Sequence, residues 1–380
     1  MKNLPLILFS FLLASSIYSQ KQTVYSIVKQ PQSLEWYQNQ YKLWEDEIKS
    51  NPKSTEAWSN AYTALRMVKI KSSFKTQDDL NVFIQRMQKA IPNTYEYHFL
   101  TYCNGEVEGD KYEKLFHHIE KAYKIDKKRT DVLPDFVTYH LLKGNKTDHN
   151  KYCKLWFNSN EMSPNILNFG YNILASCEDK SVVITNGDND TYPLFLVQEA
   201  LDFKKDVSVL NIYLLQKQGY RNRVFTELRI KPFDKKESEF KDNYAFMKAI
   251  VRHLEKELEI PLYYSATVNP GIYKESKDKV YITGLALLYS ESKFDNIAVL
   301  KKNVEQHFKL DYLSTHFFND ISKGVVHNSN GAYLTGFLTL YKHYALSGDL
   351  QKKEWLGNIL KSIAENNPNK EYILNFLEEC

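Results

Sequence analysis

The chain has 380 residues, of which 43% are hydrophobic and 25% are charged, with only 13 Gly and 11 Pro. This composition excludes collagen-like, low-complexity and wholly disordered chains, and the length suffices for about two domains with buried cores. Lys and Arg number 50 against 46 Asp and Glu, so the net charge is only +4. A dedicated nucleic-acid-binding protein is therefore not expected, because such proteins concentrate basic residues on one face.

The first 19 residues have the layout of a cleavable secretory signal peptide. Lys2 precedes the apolar run from Leu4 to Leu13, and small residues lead to a predicted cleavage point after Ser19. This run is shorter than the about 20 residues that span a bilayer, and no later stretch is sufficiently apolar. We expect a mature chain without a transmembrane segment, exported to the periplasm or associated with the cell envelope; an uncleaved membrane anchor is the alternative.

Helix pairs follow the signal peptide. Residues 33–70 are predicted to form two helices separated at Asn51-Pro52, and Trp58 and Tyr62 of the second are typical of the first helix of a tetratricopeptide (TPR) repeat. Further helices are predicted on both sides of Gly105, at 131–143, at 148–159, and at 332–345 and 350–364 around Gly348. A short helical solenoid accounts for this spacing, with an irregular helical bundle as the alternative.

The middle of the chain has a different pattern. Short β-branched or aromatic runs predict strands at 181–185, 207–212, 261–268 and 280–286, with a weaker candidate at 225–231 and helices at 193–203 and 244–258. Strands that alternate with helices imply a parallel sheet covered by helices. The predicted fold class is therefore TPR-like helical repeats flanking a Rossmann-like parallel α/β segment. The predicted domains are a signal peptide at 1–19, TPR-like repeats at 20–175, the α/β domain at 176–300 and C-terminal helical hairpins at 301–380.

A polar loop after the first predicted strand is the candidate site. Open α/β sheets bind ligands where a strand passes into a helix, and two carboxylates in this loop, Asp188 and Asp190, could hold a divalent cation such as Mg²⁺ or Ca²⁺. The alternative is structural: Asp190 or Thr191 would cap the next helix, and Asp188 or Asn189 would close a turn. The candidate ligand-binding residues are Asn186, Gly187, Asp188, Asn189, Asp190, Thr191 and, after the second strand, Asn211.

Three stretches around this loop carry a family resemblance. Residues 185–194, 197–199 and 205–211, which include Asn186-Gly-Asp-Asn-Asp-Thr191, are similar to the soluble tail of bacterial polytopic membrane proteins of the protein O-mannosyltransferase-like family. Residues 261–268 and 281–286 resemble later parts of that tail. The resemblance implies a free-standing copy of the tail, flanked by helical repeats. The family's membrane region is absent, so no glycosyltransferase catalytic residue is carried over.

Other candidates for chemistry are weak. The ten His show no paired metal-ligand spacing, and adjacent His117 and His118 would point in different directions on a helix. The cysteines predict no metal site and at most one disulfide. They are Cys103, Cys153, Cys177 and Cys380.

The sequence leaves open whether the chain is an enzyme. The first hypothesis is an exported protein-interaction module with a ligand site at the polar loop, acting on protein partners as an accessory or scaffold subunit in the cell envelope. The alternative is a metal-dependent enzyme, a hydrolase or a relative of glycosyltransferases, that uses Asp188 and Asp190. For that alternative only Glu199 or Asn211 suggests itself as a third group.

Overall fold

A computed structural model describes residues 20–105, 109–315 and 318–380. The predicted signal peptide at 1–19 lies outside the described residues. The chain divides into two compact units, of which the first ends at Asp135 and the second is Phe136–Cys380. The predicted four-part division of the chain stays a prediction. In the described parts, no helix combines the length and the apolar character needed to cross a membrane.

The first unit is built from helices that each pack on the next along the chain, and α2 also contacts α4. These helices are α1 (Leu34–Ser50), α2 (Thr55–Lys71), α3 (Gln77–Ala90), α4 (Tyr95–Asn104) and α5 (Gly109–Ile125). The break that was predicted at Asn51-Pro52 is confirmed, whereas α3 was not predicted.

Hydroxyl side chains begin the first four helices. The side chains of Ser33, Ser54, Thr76 and Thr94 each accept a hydrogen bond from a backbone N–H of the first turn. These bonds satisfy N–H groups that have no partner inside the helix. Aromatic rings then fill the space between α2 and α3: Trp58 meets Phe83 edge to face, with 5.2 Å between ring centroids. The first unit thus has its own aromatic core.

The second unit combines helices with a small sheet. Its helices are α6 (Leu133–Lys143, which begins just before the unit boundary), α7 (Lys146–Asn158), α8 (Pro164–Ala175), α9 (Tyr192–Leu201), α10 (Gln218–Glu227), α11 (Asn243–Glu257), α12 (Asn296–Lys302), α13 (Lys323–Asn330), α14 (Leu334–Ser347), α15 (Leu350–Glu365) and α16 (Lys370–Glu379). Its strands are β1 (Val182–Thr185), β2 (Ser208–Asn211), β3 (Leu262–Ser265), β4 (Val280–Ile282) and β5 (Ala286–Tyr289). The predicted turn between α14 and α15 is confirmed, with Gly348 left-handed at φ 73°.

The sheet is mixed, with the strand order β2-β1-β3-β5-β4. β1 pairs in parallel with both β2 and β3, as predicted, but β5 runs antiparallel to β3 and to β4. The strand predicted at 280–286 is confirmed only at Val280–Ile282. The chain then reverses at Gly284, whose φ of +147° favours glycine. The weak strand predicted at 225–231 is wrong, because α10 continues to Glu227.

Both faces of the parallel strands are buried. Val182, Ile184 and Leu210 pack in one cluster with side chains of α10 and α11. On the other face Val183 and Val209 are buried as well. Near this face α9 packs against α8, where a Cβ at Gly170 would lie only 2.5 Å from Cβ of Pro193. Gly170 therefore allows the start of α9, and with it the preceding loop, to come close to α8.

Candidate functional site

The predicted site loop connects β1 to α9, and its centre, Asp188–Asp190, is a short 3₁₀ turn. The side chain of Asp190 is only 3% exposed. Its carboxylate accepts hydrogen bonds from the backbone N–H of Asn186 at 2.8 Å and of Gly187 at 2.6 Å, and from the hydroxyl of Thr267. Because Thr267 follows β3, its hydrogen bond to Asp190 links the segment after β1 to the segment after β3.

The two aspartates differ in their surroundings. Burial raises the pKa of Asp190, although the hydrogen bonds from Asn186, Thr267 and Gly187 act in the opposite direction. Asp188 is exposed. Its pKa is also raised, because the loop restricts the hydration of its carboxylate and because Asp190 carries a like charge nearby. Only Asp188 therefore presents a carboxylate at the surface.

Thr191 and Asn211 lie together, as expected for residues at the carboxyl ends of neighbouring parallel strands. The Thr191 hydroxyl is 2.6 Å from the Thr185 hydroxyl and accepts a hydrogen bond from the Asn211 amide at 2.9 Å. The amide oxygen of Asn211 in turn accepts the N–H groups of Tyr213 and Leu214. Thr191 consequently makes no side-chain cap to α9, in contrast to the capping role that the sequence suggested.

The loop therefore separates the predicted site residues into two groups. Asp190, Thr191 and Asn211 are buried, whereas Asn186, Gly187 and Asn189 are half-buried and Asp188 is exposed. Within the described residues, no group of three or more His, Cys, Asp or Glu is arranged to hold a metal ion. Glu199 points toward Lys205, with 3.8 Å between the carboxylate and the ammonium nitrogen.

A Cys–His pair that the sequence did not suggest lies inside the second unit. The sulfur of Cys153 is 3.6 Å from Nε2 of His149, whose Nδ1 is 3.1 Å from the carbonyl oxygen of Val137. Burial raises the pKa of the Cys153 thiol and lowers the pKa of His149. Both groups are therefore neutral near pH 7, and the pair does not supply a nucleophilic thiolate. All four cysteines are free.

The first unit contains a surface groove, here called the α3 groove, that the sequence did not reveal because α3 was not predicted. It has a volume of about 290 Å³. Its lining residues are Tyr41, Leu65, Thr76, Asp78, Asp79, Val82, Phe83 and Arg86.

Arg86 is held rigidly in this groove. Its two terminal nitrogens donate to the two carboxylate oxygens of Glu45 at 2.8 and 2.9 Å. The guanidinium also lies 5.2 Å from the ring centroid of Trp58 and 5.3 Å from that of Phe83. The bidentate ion pair and the two rings fix both the position and the plane of the guanidinium.

Three large apolar side chains of α2, α3 and the turn between them are exposed, and one of them lines the groove. Val82, which lines it, is 55% exposed. At the end of α2 and in the following turn, Ile70 is 54% and Phe74 is 71% exposed. Val82 thus presents an exposed apolar side chain in the groove, one helical turn before Arg86 on the same face of α3.

Comparison with known proteins gives a local similarity. The family model for TMEM260-associated domain 2 matches residues 166–239, which contain β1, the site loop, α9, β2 and α10. This match includes residues 185–211, which carry the resemblance to the O-mannosyltransferase-like family, and TMEM260 is described as an O-mannosyltransferase-like membrane protein. No curated protein matches the chain.

Several solved structures match the chain, and one of them is the crystal structure of yeast Tom70. It matches weakly, with 11% sequence identity over 93% of this chain and 61% of Tom70, at a TM-score of 0.28. The chain thus spans about six tenths of the length of Tom70. A TM-score this low is no evidence of a shared fold.

Proposed function

We propose that the first unit is a TPR-like protein-interaction module that binds its partner at the α3 groove. The observation that carries this proposal is the exposed Val82 beside the fixed guanidinium of Arg86. Arginine is enriched among the residues that dominate binding between proteins, and the buried centre of such an interface is apolar. A rigid groove also loses little conformational entropy on binding.

The packing of the first unit supports the TPR-like part of the proposal. In repeat proteins each helix pair contacts its neighbours along the chain and leaves an extended surface for a partner. Helices α1 to α5 pack in this sequential manner. Trp58 and Tyr62, which are typical of the first helix of a TPR repeat, are buried, as are the small residues Ala57 and Ala61 on the same helix.

A pair of variants tests the groove. Val82→Lys places a charge beside the groove at an exposed position, and Ile125→Lys makes the same kind of change at a residue of the same unit that is 50% exposed and does not line the groove. The tagged mature chain is used to capture partners from a cell-envelope extract at low salt. We expect the same specific partner with the wild type and Ile125→Lys, and its loss with Val82→Lys. Capture that is equal for both variants, or no specific partner with the wild type, would refute the proposal.

We also propose that the chain is exported to the periplasm or cell envelope and acts there as an accessory or scaffold subunit. The layout of residues 1–19 supports export. The similarity to TMEM260-associated domain 2 supports a role beside membrane proteins, and the three parallel strands β1 to β3 support a Rossmann-like description of the sheet. Recovery of a chain that begins at Gln20 from the envelope fraction would support export, and a full-length chain in the cytoplasm would contradict it.

The alternative of a metal-dependent enzyme gains no comparable support. The carboxylate of Asp190 already accepts three hydrogen bonds, so a cation would have to compete with them. Calorimetry with Mg²⁺, Mn²⁺ and Ca²⁺ on the wild type and on Asp188→Ala tests it directly. Heat of binding that disappears in Asp188→Ala would favour a cation at this loop, and no heat with any of the three ions would remove the metal hypothesis.

A further inference from the structure

A second cavity, here called the β2-edge cavity, lies in the second unit beside the edge of the sheet. Its volume is about 470 Å³, within the range of about 300–1,000 Å³ that is typical of small-molecule sites. It is bounded by residues of α6, α7, β2 and α10. Its apolar walls include Leu141, Val209, Tyr220, Val224 and Leu228.

The strand on one side of this cavity has an open edge. β2 is the terminal strand of the sheet and pairs only with β1. The N–H groups of Ser208 and Ile212 donate toward β1, to the carbonyl oxygens of Ser181 and Thr185. Because backbone groups alternate in direction along a strand, the N–H and C=O of Val209 point away from β1, on the side of the cavity. The cavity therefore offers backbone hydrogen-bonding groups next to apolar walls.

A cation is fixed at the rim. The guanidinium of Arg223, on α10, donates to the carbonyl oxygens of Leu141 and Leu142 at 2.5 and 3.0 Å, at the carboxyl end of α6. Gly144 leaves room for it: a Cβ at this glycine would lie 2.9 Å from Cδ and Nε of Arg223. With two of its nitrogens engaged, Arg223 retains further N–H donors for a ligand.

The charge of this rim is not balanced within the described residues. Lys146 and Glu227 pair with each other across the rim at 3.2 Å. Both are exposed, so this pair is weak. No carboxylate of the described chain forms an ion pair with Arg223, whose bonds go to neutral carbonyl groups. The cavity thus combines apolar walls with the guanidinium of Arg223, with which no described carboxylate pairs, and with the rings of His140 and His149 and the weak Lys146–Glu227 pair. The apolar walls and the immobilised guanidinium are complementary to a molecule with an apolar body and a single negative charge.

We propose that the β2-edge cavity binds a small apolar carboxylate, with the carboxylate at Arg223 and the apolar part against Val209, Val224 and Leu228. This site shares no lining residue with the α3 groove and includes no residue of the loop at 186–191, so it is independent of the function proposed for the groove. The guanidinium of Arg223 favours a negatively charged head group, and the apolar walls favour an apolar remainder of the ligand.

Calorimetry with octanoate tests the proposal on the full mature chain, with octanol and octylamine as probes of equal chain length and different head groups. Arg223→Gln removes the charge, Arg223→Lys keeps it, and Leu228→Trp fills part of the cavity. Arg252→Gln, at an exposed position of α11, is the matched control. Circular dichroism establishes that each variant is folded.

We expect one octanoate per chain, bound about tenfold to a hundredfold less tightly by Arg223→Gln, since a hydrogen bond to a charged group contributes about 1.5–3 kcal/mol. Arg223→Lys should retain part of the affinity, Arg252→Gln all of it, and Leu228→Trp little. The proposal is overturned if octanol or octylamine binds as tightly as octanoate. It is equally overturned if folded Arg223→Gln or Leu228→Trp binds octanoate as tightly as the wild type. Absence of octanoate binding to the wild type at concentrations up to about 5 mM would overturn it as well.

Discussion

The two aspartates of the 186–191 loop should respond very differently to the same substitution. Asp190→Ala removes a buried acceptor of three hydrogen bonds and leaves the Thr267 hydroxyl and the N–H groups of Asn186 and Gly187 without it. Hydrogen bonds to a charged group contribute about 1.5–3 kcal/mol each, but the substitution also relieves the burial of a carboxylate. We expect a net loss of about 3 kcal/mol in the free energy of unfolding of the second unit.

Asp188→Ala is the matched control. This substitution removes the same kind of side chain, two residues earlier in the chain, from an exposed position. Surface substitutions of this kind usually change stability by less than about 0.5 kcal/mol. The two variants thus differ in burial and hydrogen bonding, and not in the chemistry of the group removed.

Thermal unfolding followed by circular dichroism measures the difference. For a unit of about this size a loss of 1 kcal/mol lowers Tm by about 2–4 °C, so Asp190→Ala should lower the transition of the second unit by about 6–12 °C and Asp188→Ala by less than about 2 °C. The first unit has its own core, and its transition should not move. Equal shifts for the two variants would refute the claim that Asp190 links β1 to β3.

Two further predictions concern close packing and pH. Gly170→Ala should destabilise the second unit by about 1–3 kcal/mol in chemical denaturation, because its Cβ would meet Pro193 at 2.5 Å, whereas Gly219→Ala, with nothing within 4 Å, should not. Burial, then the nearby His118, lowers the pKa of His98 to about 4, and the Nδ1 atoms of the two rings are 3.0 Å apart. Folding therefore favours neutral His98, so its contribution to the stability of the first unit should be full above about pH 6.5 and fall as the pH drops toward 4. His98→Gln should flatten this dependence in denaturation measured at pH 7 and pH 4.5, and an unchanged slope would contradict the assignment.

Helices with regular apolar spacing could be predicted from the sequence. In α11 the residues Phe246, Ile250 and Leu254 recur every four positions, and all three are buried. A signal for α3 was also present. Thr76 and Asp79 form a capping box, and Leu80, Phe83 and Met87 follow on one face. The apolar spacing and the capping box each involve residues that are close together in the chain, so both can be recognised in the sequence.

The hairpin of β4 and β5 could not be predicted in the same way. Residues 280–286 look like one apolar strand, but the chain turns at Thr283, Gly284 and Leu285. The turn is held by groups from elsewhere: the Ser176 hydroxyl accepts the N–H of Leu285 at 2.9 Å, and the Asn303 amide donates to the carbonyl oxygen of Thr283 at 2.7 Å. Ser176 lies more than a hundred residues before this turn in the chain, and such a distant partner leaves no pattern in the local sequence. Only the glycine inside an apolar run indicated a break.

For the site loop, the sequence pattern located the two aspartates in a loop after a strand, but it gave the wrong relative directions for their side chains. Two aspartates two residues apart would share one side of an extended chain, which is why Asp188 and Asp190 suggested a cation site. The loop is a 3₁₀ turn with about three residues per turn, so residues two apart point in different directions. Asp190 turns inward to Thr267 and Asp188 outward to solvent. A ligand at this edge of the sheet would therefore meet one carboxylate and not a pair, and a site that needs two would require the Asp190 hydrogen bonds to break first.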